Sequence, residues 1–121
     1  MSEHLEQVAL FNWAKLSNKK FPELALMYSI PNGSHRHIAV ARKLKAEGVK
    51  RGVPDICLPV ARGGYHGLYI ELKKPKGTTR AGKPTKEQVQ WLSDLGEQGY
   101  LAVLCVGWEA ARKTIDGYLE S

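Results

Sequence analysis

Two acidic residues and a lysine on neighbouring segments form the most informative pattern in the sequence. Asp55 follows Pro54, and fifteen residues separate it from the triplet Glu71-Leu72-Lys73. Residues 71 and 73 lie two apart on an alternating apolar segment, so on a strand both side chains project from the same face. If this strand pairs with the segment that begins at Asp55, two carboxylates and one ammonium group come together.

Such a cluster could hold a hard divalent cation. Two adjacent carboxylates repel each other when ionised, and Mg²⁺ relieves this repulsion while keeping water and phosphate oxygens as further ligands. Metal ligation lowers the pKa of water and supplies a nucleophile, which Lys73 could orient or help to deprotonate. The alternative is a surface ion pair between Glu71 and Lys73, with Asp55 capping a turn. That alternative is weakened because these acids lie in the most basic part of the chain.

Charge is distributed unevenly along the 121 residues, whose formal net charge is +6. Residues 1–34 are neutral overall, residues 35–86 carry thirteen Lys and Arg against three Asp and Glu, and residues 87–121 have a net charge of −4. A basic middle third indicates an anionic partner, of which nucleic acid is the common one, although charge alone equally allows a solvated surface.

The basic residues of this middle third form two clusters that flank the acids in sequence. Such residues neutralise phosphates without reading bases, which predicts binding that depends strongly on salt and weakly on sequence. The candidates for DNA contact are Arg36, Arg42, Lys43, Lys45, Lys50 and Arg51 in the first cluster, and Lys74, Lys76, Arg80 and Lys83 in the second.

A polar loop after the first predicted strand contains Asn32, His35 and Arg36. These side chains could contact a phosphate or a water of the metal's outer shell. Turn chemistry with a solvated cation explains them equally well. Aromatic residues make up only 8% of the chain, and Trp13, Trp91 and Trp108 fit core positions better than a stacking platform.

Hydrophobic periodicity predicts the elements that must position these residues. Helices are expected from just after Ser2 to about residue 18, over 36–47, from Thr85 to Gly99, and over 108–119. In the second helix the residues expected to face inward are Ile38, Ala41, Leu44 and Ala46. The apolar side of the third helix is expected to consist of Val89, Trp91, Leu92 and Leu95. Strands are expected over 26–30, 55–60, 67–73 and 100–106, and the second and third are joined as a hairpin. The order predicts an α/β (α+β) fold with a central mixed sheet flanked by helices, in one domain over 1–121.

Several classes of protein are disfavoured by composition. A hydrophobic fraction of 43% argues against wholesale disorder. No apolar run reaches the roughly 18–20 residues that cross a bilayer, so no membrane partner is expected. No Walker-type phosphate loop occurs, so no nucleotide cofactor is expected. Cys57 and Cys105 lie in apolar segments, which is typical of buried thiols in a reducing cytoplasm.

At this point the residues match a family pattern. The series G-V-P-D (52–55), I-E-L-K (70–73) and Gln88 resembles the PD-(D/E)XK nuclease superfamily. More narrowly, the chain resembles a stand-alone VRR-NUC (virus-type replication-repair nuclease) domain of the phage or bacterial type. The flanking segments that carry this resemblance are E-x-x-x-Q at 3–7, I-P-N-G at 30–33, L-K-A-E-G-V-K-R at 44–51, G-L-Y at 67–69, Q-x-x-W-L at 88–92 and Gly99-Tyr100.

The resemblance implies a restriction-endonuclease-like core and roles for individual residues. Asp55 and Glu71 would bind Mg²⁺ or Mn²⁺ together with the Leu72 carbonyl. Lys73 would position the attacking water, and Gln88 would help to hold Lys73 or a water. The first helix would supply a further acid, either Glu3, which shares a face with Gln7, or Glu6, which shares a face with Leu10 and Trp13; Glu3 is slightly preferred.

The expected activity is that of a Mg²⁺- or Mn²⁺-dependent DNA endonuclease in the cytoplasm of a bacterial or phage-infected cell. The resemblance implies branched DNA as substrate, a homodimer, and similarity to Holliday-junction resolvases. Three alternatives remain open. They are a non-catalytic nucleic-acid-binding module, a restriction-type enzyme that cuts a defined duplex sequence, and an accessory domain within a larger replication or repair complex.

Overall fold

The fold is described from a computed structural model, which covers residues 1–31, 37–75 and 83–121. In these ranges four helices and four strands follow each other in the predicted order, with one added 3₁₀ helix. Their bounds are α1 Glu3–Leu16, the 3₁₀ helix Pro22–Leu26, β1 Tyr28–Ser29, α2 Ile38–Ala46, β2 Ile56–Leu58, β3 Leu68–Lys73, α3 Lys86–Glu97, β4 Leu101–Val106 and α4 Trp108–Leu119.

The strands form one mixed sheet in the order β1-β2-β3-β4. β2 is antiparallel to both β1 and β3, whereas β3 and β4 are parallel. Arg62 and Tyr65 pair across the turn between β2 and β3, where φ is 56° at Gly63 and 87° at Gly64. Two successive positive φ angles are typical of a type I′ turn, whose twist matches that of a hairpin. The predicted hairpin is confirmed, and its Gly-Gly turn aligns the two strands that carry the acids.

The two faces of the sheet have different environments. One face contributes Leu68, Ile70 and Leu72, all almost fully buried, to a hydrophobic core shared with α1 and α4. Burying an aliphatic side chain of this size stabilises the fold by about 1.5–3 kcal/mol. Residues alternate along β3, so Glu71 and Lys73 project from the opposite face, where the first turn of α3 lies. The mixed sheet flanked by helices confirms the predicted fold class.

Helix α2 corrects one sequence prediction. Ile38, Ala41, Leu44 and Ala46 were expected to face inward, but none of the residues of α2 is buried, and Ile38 is 68% exposed. A periodic pattern shows that a helix has an apolar side but not that another element of the chain covers it. No other helix or strand of the described residues packs extensively against α2. The predicted start of this helix at Arg36 falls outside the described residues.

Smaller corrections concern the ends and faces of other elements. The strand expected over 26–30 is shortened to β1, because Pro22 favours a 3₁₀ helix through Leu26. Val89, expected on the apolar side of α3, is exposed. Trp13 and Trp108 pack against the core as predicted, but Trp91 is not in that cluster of the described residues. None of the helices in the described ranges is long and apolar enough to cross a membrane.

Candidate active site

The hairpin brings Asp55 and Glu71 to the same end of the sheet. Ile56 pairs with Ile70, so the antiparallel register places the preceding Asp55 opposite the following Glu71. The Asp55 backbone carbonyl accepts a hydrogen bond of 2.7 Å from the Ile30 N–H. Its carboxylate Oδ2 accepts another of 2.7 Å from the Leu72 N–H. The Asp55 carboxylate is therefore fixed at the sheet, rather than capping a solvent-exposed turn.

Glu71 is the most deeply buried carboxylate of this cluster, with 2% of its surface exposed. Its Oε2 accepts a hydrogen bond of 3.1 Å from Gln88 Nε2 and lies 3.8 Å from Lys73 Nζ. Its Oε1 is buried and has no hydrogen-bond partner among the described residues. A buried oxygen without a partner costs about 1–3 kcal/mol, more when the group is charged.

The electrostatics of Glu71 follow from this environment. Burial and, next, the charge of Asp55 raise the pKa of Glu71 from 4.5 to about 8, while Lys73 acts in the opposite direction. Without a further cation the Glu71 carboxyl therefore holds its proton near neutral pH. A positive charge placed at the site would reverse this preference, because it stabilises the ionised form.

Lys73 lies on the same face of β3 as Glu71 and is itself buried. A buried ammonium group needs a partner, and Glu71 Oε2 supplies it. Its pairing is thus with a site carboxylate, and not with an acid on an exposed surface. The surface ion pair considered from the sequence alone does not describe this geometry.

Gln88 reaches the site because it also caps α3. Thr85 and Gln88 form a reciprocal capping box: the Gln88 N–H donates to Thr85 Oγ1, and the Thr85 N–H donates to Gln88 Oε1. With Oε1 used as an acceptor, the side-chain NH₂ group must be the one that faces Glu71. The predicted capping box is confirmed, and it orients the donor toward the carboxylate.

The two acids of α1 occupy different surroundings. Glu6 is buried, and its Oε1 accepts a hydrogen bond of 2.8 Å from the Trp108 N–H at the start of α4. A carboxylate at a helix N-terminus is stabilised by the helix dipole. Glu3 is exposed, and its charge contributes to raising the pKa of Glu71. The structure therefore brings Glu3 within electrostatic reach of the cluster and engages Glu6 at α4. Gln7, one turn after Glu3, lines an open cavity of about 250 Å³ between α1 and β1.

Some of the residues predicted to contact DNA lie within the described ranges, and others do not. Asn32, His35, Arg36, Lys76 and Arg80 lie outside the described residues. The others have exposed side chains, as phosphate contact requires: Arg42, Lys43, Lys45, Lys50, Arg51, Lys74 and Lys83.

Oxygen donors dominate the centre of this cluster. Asp55, Glu71 and the Leu72 carbonyl could hold a divalent cation, and the unpartnered Oε1 of Glu71 offers a free acceptor for one. This donor set fits Mg²⁺ or Mn²⁺, which keep several water or phosphate ligands. Within residues 1–31, 37–75 and 83–121, no three His, Cys, Asp or Glu side chains form a metal-binding group.

Comparison with known proteins establishes the family to which this chain belongs. The family model described as "VRR-NUC domain" matches residues 2–108, which include every residue of the cluster. The chain belongs to the VRR-NUC family. A solved structure titled "VRR_NUC domain protein" is 31% identical in sequence to this chain and superposes with a TM-score of 0.81. The match covers 99% of this chain and 89% of the chain in that structure. Among curated proteins, none matches the chain.

Membership of the VRR-NUC family makes this chain a nuclease domain of the PD-(D/E)XK type. The resemblance found from the sequence is confirmed. Sequence reasoning missed the Leu72 N–H, which anchors Asp55, because a backbone donor leaves no signal in residue types. The strand register of the hairpin was the one signal that could have located it.

Proposed function

We propose that this VRR-NUC domain is a metal-dependent DNA endonuclease that hydrolyses phosphodiester bonds in branched DNA, in the cytoplasm of a bacterial or phage-infected cell. The observation that carries the proposal is the carboxylate pair Asp55 and Glu71, in which Glu71 Oε1 is buried and has no hydrogen-bond partner among the described residues. A fold stabilised only by packing gains nothing from this arrangement. A site that receives a cation and a phosphate does gain from it, because both ligands satisfy the carboxylates.

The metal would be held by Asp55, Glu71 and the Leu72 carbonyl. When bound, Mg²⁺ or Mn²⁺ supplies Lewis acidity, which acidifies water and offsets negative charge on the phosphate. The chain's own contribution is to fix the ligands before substrate arrives. The Leu72 N–H holds Asp55, and the Gln88 NH₂ holds Glu71, so neither carboxylate must reorganise during the reaction.

Lys73 and Gln88 are the two polar side chains that assist the carboxylates. The Lys73 ammonium group, 3.8 Å from Glu71 Oε2, can orient the attacking water and stabilise charge that develops on the phosphate. Gln88 keeps Glu71 Oε2 occupied, which leaves Oε1 available to a cation. Glu3 is the acid of α1 that supports the site, since Glu6 is engaged at α4.

DNA is bound through its backbone in this proposal. Exposed cations on and after α2, including Arg42, Lys43, Lys50 and Arg51, and the exposed Lys74 next to Lys73 would neutralise phosphates. Asn32, His35, Arg36, Lys76 and Arg80 are proposed as further contacts from the sequence. Binding should weaken steeply as salt concentration rises.

A branched substrate and a homodimer complete the proposal. Both are supported by the resemblance to stand-alone members of the VRR-NUC family. Two copies related by a twofold axis would present two sites to a symmetric four-way junction, as Holliday-junction resolution requires.

A cleavage panel tests the proposal. Single strands, duplex, flaps, splayed arms and four-way junctions are incubated with the protein in Mg²⁺ or Mn²⁺, with Glu71→Gln as the matched inactive control. We expect cutting of branched forms by the native protein only. Binding without cutting in either metal would overturn the nuclease proposal and favour the accessory DNA-binding module. Cutting confined to one duplex sequence would instead favour a restriction-type enzyme.

A further inference from the structure

The loop that leads into Asp55 packs directly against the first turn of α3. Gly52 is buried and has a φ of 88°, and a Cβ added there would lie 2.7 Å from Glu87 Cβ and 3.0 Å from the Gln88 N atom. Such distances are below normal van der Waals contact, so only glycine allows this approach. The backbone before Asp55 and the backbone of Gln88 are therefore in immediate contact.

Trp91 closes the same junction from the helix side. It lies three residues after Gln88, hence on the same face of α3. Its indole N–H donates a hydrogen bond of 3.1 Å to the Arg51 carbonyl. Trp91 is half-buried but is not in the hydrophobic cluster that contains the other core side chains of the described residues. Its indole N–H therefore bonds to the loop, and not to a group in the core.

We infer that Trp91 is a positioning residue for catalysis, which acts through Gln88 by tying α3 to the loop that carries Asp55. The inference rests on the proposed nuclease function. Asp55 reaches β3 from the loop and bonds to the Leu72 N–H, while Gln88 reaches β3 from the helix and bonds to Glu71. The Trp91–Arg51 hydrogen bond and the Gly52 contact hold the loop that carries Asp55 at a fixed distance from the helix turn that carries Gln88. Asp55 and Gln88 are thereby kept in one arrangement relative to β3.

Two cations belong to the loop segment at this junction. Lys50 and Arg51, proposed as phosphate contacts, belong to the loop that Trp91 holds. Because the bonded atom is the Arg51 carbonyl, the Arg51 side chain remains exposed and free to meet DNA. Lys50 and Arg51 therefore precede the carboxylate of Asp55 by only a few residues of the same loop.

Trp91→Phe tests the role because it removes the N–H donor and keeps an aromatic ring. Outer contacts that orient metal ligands typically affect activity by about 10–100-fold, so we expect kcat on a branched substrate to fall about tenfold with KM within about twofold. Trp13→Phe is the matched control, since Trp13 packs against the hydrophobic core, and it should leave kcat within about twofold. A Trp91→Phe enzyme with native kcat would overturn the inference.

A double-mutant cycle with Gln88→Ala separates positioning from general loss of structure. If Trp91 acts through Gln88, Trp91→Phe should change kcat less than about twofold in the Gln88→Ala background. The same tenfold effect in both backgrounds would contradict the inference. Gly52→Ala disturbs the junction from the loop side and should lower kcat at least as much as Trp91→Phe, while unchanged kcat in Gly52→Ala would also contradict it.

Failure of this inference can be distinguished from failure of the proposed function. If Glu71→Gln abolishes cleavage while Trp91→Phe and Gly52→Ala leave kcat intact, the nuclease proposal stands and the positioning role is wrong. If Glu71→Gln cuts as well as the native protein, the proposed function is wrong, and the positioning role is overturned with it.

Discussion

Glu6 and Glu71 are two glutamates of nearly equal burial, with 3% and 2% of their surfaces exposed, in opposite chemical situations. Glu6 accepts a hydrogen bond from the first residue of α4, at the positive end of the helix dipole. Glu71 faces Asp55 and keeps one oxygen without a partner among the described residues. Burial alone therefore does not distinguish the two glutamates, whereas the partners of their carboxylate oxygens do.

Cleavage activity should separate the two glutamates most strongly. We expect Glu71→Gln to lower the rate on branched DNA by at least about 10³-fold, because it removes a charge that binds the metal. Glu6→Gln keeps an acceptor for the Trp108 N–H and should retain the rate within about threefold. Initial rates in Mg²⁺ measure both. Equal losses in the two variants would mean that Glu6 also serves the site.

The free energy of unfolding should respond in the opposite way: the substitution Glu71→Gln, which is expected to abolish cleavage, should stabilise the metal-free protein. In metal-free protein, unfolded Glu71 ionises near pH 4.5 whereas the folded group keeps its proton to about pH 8. Unfolding therefore releases a proton between these values, and the free energy of unfolding falls as pH rises. Glu71→Gln cannot ionise, so its advantage over the native protein should grow to a few kcal/mol by pH 8–9.

Urea unfolding in a chelator from pH 5 to pH 9 measures this difference between Glu71→Gln and the native protein. The informative quantity is the change of the difference with pH, since all other titrating groups are common to both proteins. A difference that stays constant across the range would contradict the assigned environment of Glu71.

Lys73 tests the difference between Glu71 and Glu6 further, since its charge lowers the pKa of Glu71. We expect Lys73→Met to reduce the cleavage rate about 10²-fold, the smaller end of effects for removing a proton-transfer or positioning group. The rise of the residual rate with pH should move to higher pH, because Glu71 then ionises less readily. The neighbouring exposed Lys74→Met is the control, and should change the salt dependence of DNA binding and not the pH profile.

Glu6→Gln should produce the smallest effect, a loss of about 1 kcal/mol in the free energy of unfolding. It removes a negative charge at the N-terminus of α4 and keeps the hydrogen-bond acceptor. Thermal or urea unfolding at pH 7 measures it. A stabilised Glu6→Gln protein would show that Glu6 is strained in the same way as Glu71, and the comparison would fail.

The sequence predicted the parts of the fold that depend on local periodicity. The Asp55, Glu71 and Lys73 cluster followed from alternation along β3 and from the Gly-Gly hairpin, and the cap of α3 followed from the Thr85–Gln88 spacing. The helix cap and the Glu71–Lys73 alternation are each encoded within a few residues, and the hairpin joins Asp55 to Glu71 over sixteen positions. The structure brings Asp55, Glu71 and Lys73 together, and Gln88 joins them from α3.

Contacts between distant segments could not be predicted in this way. The engagement of Glu6 at Trp108 joins residues 102 positions apart, and the Trp91 contact with Arg51 joins residues 40 positions apart. Each depends on how layers pack, which periodicity does not specify. The exposure of α2 has the same origin, since an apolar stripe does not state whether the chain itself covers it.

Calorimetric titration of Mn²⁺ at pH 7 tests most directly the claim that the Asp55–Glu71 pair awaits a divalent cation. The native protein and Glu6→Gln should bind Mn²⁺ and release up to about one proton per site, seen as a dependence of the heat on the buffer, because binding ionises Glu71. Glu71→Gln should bind at least tenfold more weakly and release none. Equal Mn²⁺ affinity in Glu71→Gln and the native protein would contradict the account.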